Sequence, residues 1–168
     1  MPSPKSAGLA GTTKTPGGGL LHPVPLLAVA LLLLNDHVWK AAYGNWWTGK
    51  ISDFAGLAFF PLLLQAVIEV GQSAAGRFRG PSRAVLVACA IATAVVFAAM
   101  NVSPAAAEIY RYGLGALQWP FRALAALLTG EGAPGLAPVS HTLDPTDLIA
   151  LPSTFVAVLV GWRRNSKA

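Results

Sequence analysis

The chain has 168 residues, of which 54% are apolar and only 11% are charged. Soluble domains carry about 25% charged residues, so twelve basic and seven acidic side chains are too few to cover a water-soluble fold of this size. The composition excludes a soluble protein and predicts an all-α, polytopic transmembrane helical bundle. Because one membrane-spanning helix takes about 20 residues, the length allows four or five spans.

The N-terminal segment, residues 1–19, is rich in proline, glycine, serine and threonine and is predicted to be a disordered tail. The first apolar run follows over residues 20–38. It lacks the small residues that a signal-peptide cleavage site requires, so we expect it to remain as the first transmembrane helix.

Three further apolar runs predict spans over residues 51–70, 84–102 and 145–162, and residues 165–168 form a short tail. The connection between the first two spans, residues 39–50, is rich in tryptophan and tyrosine, which prefer the headgroup level of a membrane. Pro61 predicts a kink in the second span, and Glu69 at its end is expected to reach lipid headgroups. Cys89 is expected to be buried as a small apolar side chain.

The segment 105–128 is also partly apolar, but it carries Gly113, Gly115, Pro120 and Arg122. The stretch from Gly113 to Leu128 is shorter than the roughly 20 residues that a span needs. We therefore expect one or two helices lying in the membrane interface. A fifth span is the alternative.

Basic residues predict the orientation, because they tend to stay on the cytoplasmic side in short loops. With four spans, eight of them lie on one side and four on the other. The eight are Lys5, Lys14, Arg77, Arg79, Arg83, Arg163, Arg164 and Lys167; the four are Lys40, Lys50, Arg111 and Arg122. The expected location is the cell membrane, with both termini in the cytoplasm. Since the basic residues are scattered beside apolar runs, no nucleic-acid partner is expected.

This topology brings polar residues together at the outer ends of three helices. Charges at the edge of the hydrocarbon usually face the bundle interior and pair with one another. The sequence therefore predicts an outward-facing binding cluster formed by Asp36, His37, Lys40, Lys50, Ser52, Asp53, His141, Asp144 and Asp147.

Several of these residues also have a purely structural interpretation. Asp144 is suited to cap the last helix, with Pro145 in its first turn, and Asp53 and Asp147 would complement the positive end of a helix dipole. The spacing allows Asp36 to pair with Lys40 and Lys50 with Asp53 on one helix face. Either lysine could instead pair with a carboxylate on another helix.

The sequence contains no recognised catalytic or cofactor motif. His37 and His141 are expected near carboxylates, but no HExxH, paired histidines or cysteine cluster accompanies them. A serine nucleophile at Ser52 lacks the Gly-x-Ser-x-Gly turn. We expect no metal and no cofactor.

The segment Gly49–Phe54 resembles the first signature region of the VanZ-like family of small bacterial multi-span membrane proteins. That region usually reads Asp-Lys-x-x-His-Phe. Lys50 and Phe54 match it, whereas Gly49 replaces the aspartate and Asp53 takes the place of the histidine.

The segment Thr142–Leu148 is similar to the second signature region of the same family, a polar turn with aspartates that leads into the final helix. Asp144 and Asp147 match, and Leu151 stands where an asparagine is common. The resemblance implies a role in the bacterial cell envelope at the outer leaflet.

Three functions are compatible with these patterns. The first is a non-enzymatic envelope protein whose polar cluster binds a lipid or cell-wall precursor headgroup. The second is an intramembrane enzyme acting on an envelope lipid through Asp53, Asp147 and a histidine. The third is a small transporter or channel subunit, which would carry polar groups near mid-membrane. The sequence does not predict an oligomeric state, and the expected partners are membrane lipids.

Overall fold

The computed structural model describes residues 15–166. Most of the predicted N-terminal tail and the last two residues lie outside this range. Regular structure in the described range is entirely helical, which confirms the predicted all-α fold. Four helices are long and apolar enough to cross a membrane, as expected of a multi-pass membrane protein.

The helices are numbered α1 to α5 along the chain. Helices α1 (Pro23–Ala42), α2 (Trp46–Ala74) and α3 (Arg83–Val102) are membrane-length. Helix α4 covers Pro104–Leu128. Helix α5 begins as the 3-10 segment Pro145–Ser153 and continues as the α-helical segment Thr154–Ser166, and its stretch Pro145–Arg163 is the fourth of membrane length.

Local sequence explains where the helices begin. A polar side chain precedes each start and accepts a hydrogen bond from a backbone N–H of the first turn, which leaves fewer amides without a partner. Proline occupies the first turn of α1, α4 and α5, where its missing N–H costs nothing. The capping residues are His22, Asn45, Ser82, Ser103 and Asp144.

The predicted connection over residues 39–50 is much shorter in the structure. Helix α1 continues to Ala42 through a π-helical turn, Asn35–Trp39, and α2 already begins at Trp46. The Asn45 side chain caps α2 by accepting from the Thr48 backbone N–H at 3.2 Å. Aromatic and lysine side chains therefore belong to helix ends here, and the prediction of a longer loop is wrong.

The expected exposure of Glu69 is also wrong. Glu69 is 2% exposed, and its carboxylate accepts hydrogen bonds from Gln65 Nε2 and from the Gly17 backbone N–H, each at 2.8 Å. The bond from Gly17 holds the end of the segment predicted to be disordered against α2. A short 3-10 helix begins at the next residue and covers Gly18–Leu21. A buried carboxylate needs such donors because an unsatisfied one is costly.

Helices α1, α2, α3 and α5 form an antiparallel bundle with α2 at its centre. Two apolar clusters fill the interior. One contains Leu62, Leu86, Ala157 and Val160, and the other contains Leu57, Phe97 and Ala150. We call the end of the bundle where α1 and α3 finish and α2 and α5 begin the acidic end. The other end holds the Gly17–Glu69 contact and a cation–π pair of Arg83 with Trp162, 4.5 Å from the ring centre.

Helix α4 is a single helix, and Pro120 lies inside it without ending it. The segment after it, residues 130–144, has no helix or strand and runs back along α4 towards the acidic end. Arg111 donates to the Val139 carbonyl at 3.2 Å, and the Trp119 indole N–H donates to the Pro134 carbonyl at 2.7 Å. We call this segment the return loop.

Candidate functional site

Lys50 is the most enclosed charged group at the acidic end. The residue is only 4% exposed. Its ammonium donates to Thr146 Oγ1 at 2.7 Å, to Asp144 Oδ2 at 3.3 Å and to Asp147 Oδ1. An ammonium has three donors, so these three acceptors use all of them. We call this group, which ties the start of α2 to the start of α5, the Lys50 clamp.

Asp144 performs the predicted capping role as well as the pairing. Its Oδ1 accepts from the Thr146 backbone N–H at 2.9 Å and from Thr146 Oγ1 at 2.7 Å, while Oδ2 faces Lys50. The two hydrogen bonds from Thr146, aided by Lys50, hold the pKa of Asp144 below its usual range. Capping and ion pairing are therefore not alternatives at this residue.

Asp53 lies one helical turn after Lys50, but the lysine pairs with carboxylates from α5 instead. The Asp53 carboxyl group lies within hydrogen-bond reach of the Asp147 carboxyl group, and the Lys50 charge acts on it as well. Two carboxyl groups at this separation repel each other when both are ionised. Asp53 thus adjoins the Lys50 clamp and is half-buried beside it.

A second polar group joins the end of α1 to α2. The Asn35 amide donates to the Thr48 carbonyl at 2.6 Å and to Ser52 Oγ at 2.7 Å. The Ser52 hydroxyl donates to Asp36 Oδ1 at 2.9 Å, and Asp36 forms the predicted pair with Lys40 at 2.7 Å. The π-helical turn lies at this point of α1, a feature that often occurs at functional sites.

Asn35 has one unusual feature. The residue is fully buried, and within the described part of the chain its amide oxygen has no hydrogen-bond partner. Buried polar atoms are almost always satisfied, so an unpaired oxygen requires an explanation.

The two histidines are held differently from the prediction. His37 is exposed at the end of α1. The His141 Nε2 lies 3.0 Å from the Met100 carbonyl oxygen, and its ring packs edge-on against Tyr110 at 5.3 Å. His141 is therefore bound to backbone rather than to a carboxylate, and it joins the return loop to the end of α3.

A groove of about 680 Å³ opens beside these groups, and no sequence pattern predicted it. Its polar end is formed by Asp36, Ser52, Asp53 and Tyr110, and its walls are apolar. The walls are Leu32 of α1; Gly56, Leu57, Phe60, Leu63, Leu64 and Val67 of α2; Ala92, Thr93, Val96, Phe97 and Met100 of α3; and Leu114 of α4.

The groove has the dimensions of a site for an elongated ligand. Its volume lies within the range of about 300–1,000 Å³ that is typical of small-molecule sites. Along α2, the residues from Asp53 to Val67 span about 21 Å at 1.5 Å per residue. One leaflet of a bilayer is about 15 Å of hydrocarbon, so an entire acyl chain of that leaflet fits along these walls.

Tyr110 is the groove residue that sequence analysis missed. It comes from α4, more than fifty residues from Asp53, and only the tertiary structure brings the two together. Burial raises the pKa of the Tyr110 hydroxyl, and the nearby Asp53 carboxylate adds to the effect. The hydroxyl therefore stays protonated at neutral pH and can donate a hydrogen bond at the polar end.

Within residues 15–166, no group of three or more histidine, cysteine, aspartate or glutamate side chains has a geometry that could hold a metal ion. Cys89 is buried, as expected.

Comparisons with known proteins gave no relatives. No family model matches the chain, no curated protein matches it, and no solved structure matches it.

Proposed function

We propose that this chain is a non-enzymatic, multi-pass protein of the bacterial cell membrane that binds an envelope lipid, or a lipid-linked cell-wall precursor, in the groove. The observation that carries the proposal is the groove itself, which has four polar side chains at one end and a long apolar wall that faces the region between α1, α2 and α3. A lipid likewise has a polar headgroup at one end and a long apolar chain.

The proposed orientation places the acidic end outside the cytoplasm. Eight of the twelve basic residues then lie on the cytoplasmic side, as the positive-inside rule requires. The groove opens towards the outer leaflet in this orientation, where envelope lipids and precursors are accessible.

The proposed topology has four spans and keeps α4 at the membrane surface. The contact between Met100 and His141 joins the end of α3 to the segment just before α5. The return loop, which has no regular structure, also runs along most of α4. Irregular backbone is not tolerated in hydrocarbon, so α4 and this loop fit the interface rather than the bilayer core.

We further propose kinship with the VanZ-like family. The resemblance rests on Lys50, Phe54, Asp144 and Asp147. Three of these matching residues, Lys50, Asp144 and Asp147, come from two distant segments and are neighbours in space. Their adjacency supports a shared arrangement of the two signature regions.

Binding rather than catalysis is favoured by how the polar groups are engaged. The Lys50 donors are all used within the clamp, and His141 contacts a backbone carbonyl. A general base must reach a substrate proton at hydrogen-bond distance, and neither Lys50 nor His141 lines the groove.

The test is native mass spectrometry of the full chain purified in mild detergent, followed by identification of co-purifying lipids. Ala92 is an exposed residue in the groove wall, so Ala92→Phe should fill the groove and reduce bound lipid at least tenfold. Ala84→Phe places the same ring on an exposed position of α3, about 12 Å nearer the helix start, and should retain the lipid. Equal lipid retention by both variants would rule out the groove as the binding site.

A further inference from the structure

We infer that the groove selects an amphiphile whose headgroup is a protonated primary amine attached close to its apolar chain. This inference rests on the proposed function and adds the chemical class of the ligand. It is based on the hydrogen-bond acceptors that line the groove and on the ion pairs that the neighbouring lysines already form.

The polar end of the groove offers acceptors. Asp36 and Asp53 contribute carboxylates, and the Ser52 oxygen lies between them on the same lining. The Ser52 proton is already donated to Asp36, and one lone pair of its oxygen accepts from the Asn35 amide. The serine therefore has one lone pair left for a ligand and no proton to donate. The Tyr110 hydroxyl completes the set and can either donate or accept a hydrogen bond.

The groove lining, as the described residues form it, contains no basic side chain to meet an anion. All three donors of the Lys50 ammonium are used by Asp144, Thr146 and Asp147. Lys40 is paired with Asp36. A phosphate or carboxylate headgroup would have to break the clamp to gain Lys50 as a partner, and Lys40 does not line the groove.

The net charge of the acidic end favours a cation. Four carboxylates, those of Asp36, Asp53, Asp144 and Asp147, are accompanied there by two lysine ammonium groups. With all four carboxylates ionised, the formal charge of this set is −2. A third ammonium, supplied by a ligand, would lie between Asp36 and Asp53 and reduce the repulsion between Asp53 and Asp147.

The apolar wall begins directly below these acceptors. Gly56 and Leu57 of α2 line the groove within one helical turn of Asp53. An apolar chain attached directly to a bound ammonium would therefore meet the apolar wall within about one helical turn of the carboxylates. A bulky phosphate-linked headgroup would also bring its negative charge against the same carboxylates.

The experiment compares three probes with the same chain and different headgroups: tetradecylamine, tetradecanol and myristate. Each is titrated against the full chain in neutral detergent, and the bound fraction is measured by native mass spectrometry. Tetradecylamine should bind about tenfold tighter than either of the others, which corresponds to about 1.4 kcal/mol. A charge-assisted hydrogen bond supplies a preference of this size.

The variant Asp53→Asn removes one acceptor charge and should abolish most of the preference for the amine. It should still fold, because it also removes the repulsion between Asp53 and Asp147. The matched control is Glu108→Gln on α4, the same change in charge at an exposed residue that pairs with Arg111 at 2.5 Å. This control should keep the preference.

The outcomes separate the two proposals. Equal affinity for all three probes, or tighter binding of myristate, would overturn the amine selectivity and leave a lipid groove in place. Absence of binding by every probe would overturn the proposed function together with this inference. An unchanged preference in Asp53→Asn would show that Asp53 does not contact the headgroup and would also overturn the inference.

Discussion

Lys50 shows how a single charged residue can be buried at the edge of a membrane protein. Removing it from water is costly, and the cost is offset only when partners satisfy its charge and its donors. Asp144, Thr146 and Asp147 do both, and the Trp46 ring lies 5.0 Å from the ammonium as a further cation–π contact. The clamp is therefore a structural element, and the neighbouring Asp53 lines the groove.

We predict that Lys50→Met lowers the free energy of unfolding by about 3 kcal/mol, because it leaves two carboxylates without their cation. Adding Asp147→Asn should cost less in the Lys50→Met background than in the native chain, with a coupling of at least about 1 kcal/mol. Reversible unfolding in mixed detergent and SDS micelles measures both quantities.

Lys40→Met is the matched control for this prediction. Lys40 and Asp36 also form an ion pair, but their side chains are 42% and 47% exposed. Solvent screens such a pair, so the loss should stay within about 0.5 kcal/mol. A loss in Lys40→Met as large as in Lys50→Met would contradict the explanation by burial.

At the scale of elements, the contact between α4 and the return loop depends on the absence of a side chain. A Cβ at Gly115 would lie 2.3 Å from the Ala137 carbonyl oxygen, so only glycine allows the loop backbone to approach the helix this closely. The contact holds the loop, and with it His141, over the end of α3.

We predict that Gly115→Ala displaces the return loop and increases its cleavage by an added protease several-fold. Gly113 is the control because a Cβ there meets nothing within 4 Å. Gly113→Ala should leave the cleavage rate unchanged or lower it, since alanine favours an exposed helix by about 1 kcal/mol over glycine. Equal cleavage of the two variants would mean that the close approach does not hold the loop.

The bounds of the helices show where the sequence prediction was inaccurate. Hydropathy located the four membrane-length helices, because a run of about 20 mostly apolar residues is typical of a transmembrane helix. It misplaced the start of α2, since Trp46, Trp47 and Lys50 resemble interfacial loop residues. The Asn45 cap and the π-helical turn in α1 were local signals that an apolar average does not detect.

At the scale of the whole molecule, the two ends of the bundle differ in chemistry. The acidic end collects the ion pairs and the polar part of the groove, whereas the opposite end buries Glu69 and Gln65 against the N-terminal segment. This difference between the ends agrees with the sequence, in which eight of the twelve basic residues lie on the side opposite the acidic end.

We predict from this arrangement that the chain crosses the membrane four times. A reporter that is active only outside the cytoplasm should give signal when fused after Ala42 or after Gly135, and none after Gly76 or Ala168. Signal at the C-terminal fusion would require an odd number of spans. In that case α4 would cross the membrane, and the return loop would not lie beside it as described.

The sequence by itself determined the class, the helical content and the positions of the long helices. These depend on composition and on local patterns: apolar runs, prolines in first turns, and capping residues such as Asp144. It also identified Lys50, Asp53, Asp144 and Asp147 as residues at helix ends facing one another, because antiparallel helices bring alternate ends together.

Only the tertiary structure decided how these residues are used. Lys50 pairs across to α5 rather than with Asp53, Glu69 turns inward to accept from Gly17, and Tyr110 joins a groove built from four different helices. Each of these outcomes depends on distances between segments far apart in the chain. Such distances are set by how side chains of several helices pack together, and a pattern read along one helix does not contain them.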